Sequence, residues 1–588
     1  MFRKSLIRSC RLPLLLSLFR TSSTFEFSSS ISSIRTSHRF LLNNKLRTNP
    51  SSAASTITTS TTILKMSELT TIKEKRKSQF KHINSNDTDS VRNAPKLDGK
   101  RPIKVSTGTF LFTAVVGVPL WLTIVMPLSV AYQVGKKILP LSPKEVQDKE
   151  EKMTQETFPA TEDLKPIQDR KYDAVLLGCT GFTGRLAAIH LAKTYPNLSW
   201  AIAGRSQAKL DKLKKELEDM PDVDNTSKID MLVVDTSKPS TIHKLVNDAK
   251  VVITTAGPFC KYGSNVVEFC ARYGTNYVDI TGETDWNKEM IMKWDEKAQE
   301  TGAKIISLCG NDCIPWDLTY YKLAQMLKEE CEDSVETVRC YDDMKGGVSG
   351  GTLATMMTFI NGEYKAPRFG FDPYYKKRNG SKSTNRAKNV SSQLIGQTHE
   401  DDLNKGKKWT TPFVMTDINA EVVKHSHALS DNVNDGQKIT YSEAVVHSGF
   451  KEAFMTFFGT IFGFTAMLNP ITATPVKKML PPGAGPSKKQ LKHGYLLVSG
   501  VGEGVKGSKV ETEFYFPSDP GYKDTARMVT EAGLCLALDS DKLPVQGGGF
   551  FTPSSGMGDA LLDRLCRTGC KFASRVVKVQ GGKLQSKL

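Results

Sequence analysis

An apolar run from Ala174 to Leu177 breaks at Gly178, and glycines recur at 181 and 184 before an amphipathic stretch, Arg185 to Tyr195. Few folds accept that order. It demands a short buried strand, a tight turn whose backbone is left bare, and a helix packed close behind it. The first glycine turns the chain, the second lets backbone approach an anionic group, and the third admits the helix to the strand. Amides exposed at the start of the helix then favour phosphate. The spacing GxxGxxG differs from the commoner GxGxxG, but the physical demands are shared. Thr180, Phe182 and Thr183 fill the positions between the glycines and fall within the same candidate cofactor loop as Gly178, Gly181 and Gly184.

The strand that follows sharpens the reading. Trp200 to Ala203 ends in Gly204-Arg205-Ser206, about twenty residues beyond the glycines, where an NAD-preferring site places an acid against the ribose hydroxyls. An arginine there pairs with a 2′-phosphate and stacks on adenine, and Ser206 and Lys209 add a hydrogen bond and charge. The cofactor expected is NADP(H), in preference to NAD(H). The pattern continues with strands at Met231 to Val234, Val251 to Thr254, Tyr277 to Ile280 and Lys304 to Leu308. Asp235 closes the third and lies beside the expected adenine. Ala256, Gly257 and Pro258 follow the fourth, at the carboxyl edge that faces a cofactor in such sheets.

The motifs GCTGFTGRLA, AGRS, AGPFCKYG, YVDITGE and GNDCIPWDL, in this order, resemble the saccharopine dehydrogenase-like oxidoreductases, and the likeness extends over roughly residues 170 to 580. It implies an α/β chain: an N-terminal Rossmann-type doubly wound parallel sheet, a second mixed α/β domain, and a C-terminal segment returning to the first. It also implies association with lipid droplets or other membranes and a role in lipid or glycolipid metabolism. Read with the apolar stretches described below, the expected activity is an NADP(H)-dependent reductase acting on a small apolar substrate. A nucleotide-binding scaffold without turnover and a true saccharopine oxidoreductase of lysine metabolism stay open as alternatives.

The expected organisation is a leader over 1–65, a polar linker over 66–104, a transmembrane segment over 105–135 and a charged linker over 136–170. A Rossmann domain follows over 171–330. A mixed α/β substrate domain occupies 331–520, and a C-terminal helical segment, 521–588, packs back on the Rossmann domain. The net charge of +18 comes in large part from the leader, where Arg3, Lys4, Arg8, Arg11 and others stand against one acid, Glu26. That composition fits a mitochondrial transit peptide, yet Met66 is also a candidate initiator. No basic stripe interleaved with aromatics is present, so no nucleic-acid partner is expected. Eleven cysteines without a CxxC pair argue for a reducing compartment and against a zinc ribbon.

Between Lys104 and Lys136 no side chain is charged, and Phe110 to Val134 is long enough to cross a bilayer. Pro119 and Pro127 leave a hairpin inserted in one leaflet or a monolayer as the alternative. Phe454 to Leu468 is uncharged but too short to span, and reads as an interfacial patch or a buried helix. The partner expected is a membrane or droplet surface, whether mitochondrial, endoplasmic-reticulum or lipid-droplet is undecided, and a homodimer stays open.

Hydride transfer to a polarised bond also needs a proton donor. Tyr262, on the loop after the fourth strand, and Asp312, after the sixth beside Cys309 and Asn311, are the catalytic candidates. Ser349, Gly350, Gly351 and Thr352, close behind Lys345, offer free amides to an anionic part of a substrate. His425 and His427 alternate in what reads as a strand, with no third ligand, so no metal is expected.

Overall fold

The computed structural model describes residues 105–122, 126–127, 164–346, 388–389, 395–402, 406–430, 439–468 and 484–579. The leader, the polar linker, most of the charged linker and Ser349 to Thr352 lie outside the described residues.

Seven short and largely apolar runs build the first sheet. β1 (Ala174–Leu177), α1 (Phe182–Thr194), β2 (Trp200–Gly204), α2 (Gln207–Glu218), β3 (Asp230–Val233), α3 (Pro239–Asp248) and β4 (Val251–Thr254) follow one another as strand–helix pairs. Then come the four-residue α4 (Phe259–Tyr262), α5 (Ser264–Tyr273), β5 (Asn276–Asp279), α6 (Thr284–Thr301) and β6 (Lys304–Ile306). Every pairing in this sheet is parallel, which is why both of its faces must be covered by helices. Alternate strand residues feed two cores. Val175, Leu177, Ala201, Val252 and Ile305 pack on α3, α5 and α6, whereas Leu176, Ile202, Ile253, Val278 and Ile306 face the opposite layer. All ten are essentially inaccessible to solvent, and burying each such side chain contributes about 1.5–3 kcal/mol against leaving it exposed, Ala excepted.

The chain next passes through α7 (Ile314–Glu330) into a second, mixed sheet. Its strands are β7 (Val335–Lys345), β8 (Lys388–Asn389), β9 (Gly396–Gln397), β10 (Trp409–Pro412) and, after α8 (Thr416–Leu429), β11 (Thr440–His447). Helices α9 (Phe450–Leu468) and α10 (Lys488–His493) lead to β12 (Tyr495–Gly504) and β13 (Lys509–Phe516). The last stretch holds α11 (Thr525–Leu538), β14 (Gly549–Phe551), α12 (Pro553–Arg567) and β15 (Lys571–Lys578). The sheet orders are β14-β6-β5-β4-β1-β2-β3 and β15-β13-β12-β7-β11-β10-β9, with β8 beside β11.

The C-terminal stretch therefore does not form a helical segment alone. β14 extends the first sheet beyond β6 and β15 closes the edge of the second, while α11 lies across β4 and β5. Gly533 of α11 makes this approach possible, because a Cβ there would collide with the side chain of Ile253. One core accordingly runs from the first sheet through α7, α11 and α12 to Val338, Leu496 and Phe514 of the second.

His425 and His427 sit in α8, not in a strand. The helix wins because Ala420, Val422, Val423 and Ser426 recur at helical spacing on a buried face. His427 Nδ1 meets the Tyr320 hydroxyl at 2.9 Å. Among the described residues no cluster of His, Cys, Asp or Glu is suited to a metal ion.

The N-terminal apolar stretch is helical from Thr107, with Thr113–Gly117 wound as a π-helix, as far as Leu122, beyond which only residues 126–127 are described. Among the described residues no helix is long and apolar enough to cross a membrane. The stretch lies parallel to α9 instead. Phe110 packs edge-on to Phe454 at 5.3 Å, and further along the pair the Trp121 indole donates to Thr465 Oγ1 at 2.8 Å. The stretch expected as an interfacial patch or a buried helix lies in α9, a helix that is half buried: Ala453 and Thr465 are covered while Phe450 and Phe462 are exposed.

Candidate active site

The glycine loop forms as its composition requires. Gly178 adopts a left-handed φ of +81°, and a Cβ on it would come within 2.8 Å of the Ala256 amide. A Cβ on Gly184 would collide with the Gly178 carbonyl, and within 2.8 Å of Cys179 Cα. Thr255 Oγ1 donates to the Gly178 carbonyl at 3.1 Å, so the turn after β4 is tied to the turn after β1. Gly181 is different. Its hypothetical Cβ meets only one atom, at 3.4 Å, and Thr180 and Gly181 are exposed, so their backbone is free to receive a ligand. Phe182, at the head of α1, stacks edge-on against Tyr522 at 5.4 Å.

Arg205, at the exit of β2, is exposed, and its guanidinium lies 5.4 Å from the ring centroid of Tyr262. Asp235 caps its own turn, accepting from Ser237 Oγ at 2.7 Å and from the Ser237 amide at 3.1 Å. These bonds, with a smaller contribution from Arg205, hold its carboxyl below the usual range. Arg205, Asp235 and Tyr262 therefore stand together, where β2, β3 and β4 end and the crevice of such a sheet opens. The fourth-strand turn, Ala256 to Pro258, lies between this end and β5, as the sheet order requires.

At the other end the turns after β5 and β6 meet the second sheet. Buried Glu283 accepts from the Phe259 and Cys260 amides at 2.9 and 2.8 Å, which fixes α4 against the β5 turn. Asp279 accepts from Tyr277, Thr281, Ser307 and Leu308 at 2.8–3.1 Å. Burial still pushes its carboxyl up to about 6. Asn311 is held by its amide donating to Thr525 Oγ1 at 3.0 Å. Asp312 Oδ2 then comes within 3.9 Å of where a Gly282 Cβ would sit, with Met415 and Ile418 at similar distance. Desolvation among these apolar neighbours raises the Asp312 carboxyl to about 6.

Sequence reasoning overlooked two things at this end. Glu283 and Asp279 brace the turns, and two acids, Asp342 in β7 and Glu443 in β11, lie fully buried behind Asp312. The signal for the latter was present as acids in otherwise apolar strand patterns, CYDDM and YSEAVV. Nothing local connected them, because the two stand 101 positions apart.

A parallel strand–helix sheet with a bare glycine turn, and an exposed arginine at the exit of its second strand, is the fold of a dinucleotide-dependent oxidoreductase. The comparisons agree. The family profile "Saccharopine dehydrogenase NADP binding domain" matches residues 174–306. A trans-acting enoyl reductase of Mycobacterium tuberculosis is 32% identical over 421 residues, covering 68% of this chain and 97% of that protein. Its counterpart in Mycobacterium ulcerans is 32% identical over 429 residues, at the same coverage. Among solved structures, apo saccharopine dehydrogenase (L-Glu forming) from Saccharomyces cerevisiae aligns over 69% of this chain and 99% of its own length, with 11% identity and a TM-score of 0.39. The chain belongs to the saccharopine dehydrogenase-like family, together with its trans-acting enoyl reductase relatives.

Proposed function

We propose that this oxidoreductase reduces an apolar, lipid-like substrate at a membrane or droplet surface, adding hydride and a proton across a carbon–carbon double bond conjugated with a carbonyl. Relatives bearing the name enoyl reductase supply the reaction class. The observation that carries the site of action is the apolar helix pair. Leu111, Phe112, Val115, Val116, Leu120 and Phe462 all stand about half to two-thirds exposed, a run of large apolar side chains turned to the surface. Laid in a lipid interface, that face is covered and the crevice is held next to its substrate.

In this reading Thr180 and Gly181 would hold the pyrophosphate of the dinucleotide and Arg205 its 2′-phosphate, Tyr262 would offer a face to adenine, and the turns after β4 and β5 would take the nicotinamide. When bound, NADPH supplies the hydride. Asp312 gives the proton to the carbon next to the carbonyl. Asp312 lies on the β5–β6 side of β4 and Tyr262 on the side of Arg205, which favours the acid over the phenol as donor.

Flotation with phospholipid vesicles and NADPH consumption with a long-chain α,β-unsaturated acyl thioester test both halves. Wild-type chain floats and consumes NADPH; Phe112→Glu/Val115→Glu stays in the aqueous fraction. Equal flotation of the variant sinks the docking face, and a wild type that binds NADPH without consuming it sinks the reductase.

A further inference from the structure

Lysines gather on a small helix that the reductase reading leaves unused. α10 carries Lys488, Lys489 and Lys492, and Lys523 stands in the turn Pro520–Asp524 beside it; all of them are exposed. Fixed contacts hold helix and turn together. The Asp519 amide donates to the Leu491 carbonyl at 3.1 Å, and a Cβ on Gly494 would collide with the Asp519 backbone. At the other end of α10, Ser487 and Gln490 close a capping box. A short helix is thus pinned at both ends.

No acid answers this charge. Close by, Lys193 pairs with Asp222 at 3.1 Å and Arg527 with buried Asp524 at 3.3 Å. Among the described residues no carboxylate stands within ion-pair reach of Lys488, Lys489, Lys492 or Lys523. Partial loss of solvent, and then the like charges of Arg527, Lys492 and Lys193, lower the Lys523 ammonium from its ordinary range, with Asp524 opposing. A solvated helix face usually mixes signs, whereas this one keeps a single sign at close quarters.

The fold sets the cluster at the foot of the apolar helix pair. Tyr495, the first residue of β12, lies opposite Lys345, the last of β7. On the other side of β7, β11 runs parallel to it and ends at His447. His447 lies opposite Trp409, whose ring packs edge-on against Phe450 at 5.0 Å. α10 therefore enters the second sheet, and α9 leaves it, at the same end, on strands about 10 Å apart. Lys451 of α9 donates to Thr107 Oγ1 at 2.9 Å and ties the start of the N-terminal apolar helix to this place.

Resting on the membrane half of the reading above, we propose that α10 and Lys523 form a headgroup-binding surface that directs the apolar helix pair to negatively charged lipid. Apolar side chains take the acyl layer, and the ammonium groups take the phosphates above it. An acidic protein has no need of an apolar pair beside its basic contact, and the cofactor's pyrophosphate has the bare glycine turn. A charged lipid surface uses both features at once.

Flotation of the full chain tests this, with vesicles of phosphatidylcholine alone and of phosphatidylcholine with one part in three phosphatidylserine. Wild type prefers the mixed vesicles, and added salt narrows the preference. Each lysine near an anionic surface is worth about fivefold in partition. Lys488→Gln/Lys489→Gln/Lys492→Gln is therefore expected to lose roughly a hundredfold on the mixed vesicles and little on phosphatidylcholine, with NADPH affinity unchanged. Lys488→Arg/Lys489→Arg/Lys492→Arg keeps the wild-type preference. Equal flotation of wild type on both vesicles, or a Gln variant that matches wild type on the mixed ones, overturns the headgroup surface and leaves the apolar face as the anchor. A wild type that floats on neither overturns the membrane reading, and this proposal with it. A Gln variant that keeps its vesicle preference but binds NADPH weakly gives the lysines to the cofactor. Indifference to lipid charge combined with salt-sensitive binding to polyglutamate gives them to an acidic protein.

Discussion

The two ends of the crevice are made differently. The end proposed for the dinucleotide is built almost wholly from backbone: Gly178, Gly181 and Gly184 shape it, and one side chain, Arg205, is the one we propose to choose the cofactor. The end proposed for reduction is built from side chains drawn from distant parts of the chain, namely Asp312 from the β6 turn and Thr525 from α11, with the buried acids Asp342 and Glu443 of the second sheet behind them. A backbone site is held by local sterics and fails by collision. A side-chain site is held by burial and fails by charge. Substitutions at the two ends should therefore part binding from turnover.

The largest effect belongs to the backbone end. In Gly184→Val the new side chain meets the Gly178 carbonyl and Cys179, neither of which is the flexible end of a side chain, so the β1 turn must move. NADPH binding, followed by the fluorescence of the reduced cofactor, is expected to disappear. Retained affinity would mean that α1 can withdraw from the strand, and that the loop is not fixed by close approach.

Asp312→Asn addresses the other end. Losing a general acid costs about 10²–10⁴ in rate, and here the loss falls on turnover while NADPH binds as before. The pH profile supplies the sign. An acid that must be protonated gives a rate that is flat at low pH and declines as pH rises, so a profile that instead climbs through neutrality would assign Asp312 the role of base.

The contrast also explains what the sequence disclosed. Ala174–Leu177, the three glycines and Arg205 fall within 32 consecutive positions, and each obeys a rule of local geometry, so β1 and β4 were legible to the residue. The second sheet was legible only as mixed α/β. His425 and His427 read as a strand because two residues are too few to tell a period of 2 from one of 3.6 when the flanking buried face is overlooked. The strands of the C-terminal stretch were missed for another reason. β14 is three residues long and gains its place only by pairing with β6, some 245 positions earlier. Asp342 and Glu443 were invisible because an acid in a strand signals an exposed face unless its partner is known. The apolar segment was read as a transmembrane helix; its described part is helical but lies against α9, a neighbour that could not be inferred from a stretch some 340 residues away.

A smaller effect separates cofactor choice from cofactor binding. Arg205→Glu replaces a charge-assisted hydrogen bond with repulsion of the 2′-phosphate, and about 1.5–3 kcal/mol is at stake, roughly ten- to a hundredfold in Kd. NADPH should weaken by that factor while NADH holds or improves, measured by titration of each cofactor. Equal weakening of both would show that Arg205 supports the loop instead of reading the phosphate.

The smallest effect decides which end Tyr262 serves. Its ring lies 5.4 Å from the Arg205 guanidinium, on the β2 side of the β4 turn. If it offers a face to adenine, Tyr262→Phe keeps the stacking surface and leaves both NADPH affinity and turnover close to wild type. Tyr262→Ala removes the surface, and an aromatic contact of about 0.5–1.5 kcal/mol corresponds to a loss of roughly two- to tenfold in affinity, with turnover at saturating NADPH preserved. A phenolic proton donor predicts the reverse order, since Tyr262→Phe would then depress turnover at full cofactor occupancy. The Phe variant alone thus shows whether the division between a binding end and a reacting end runs where the geometry draws it.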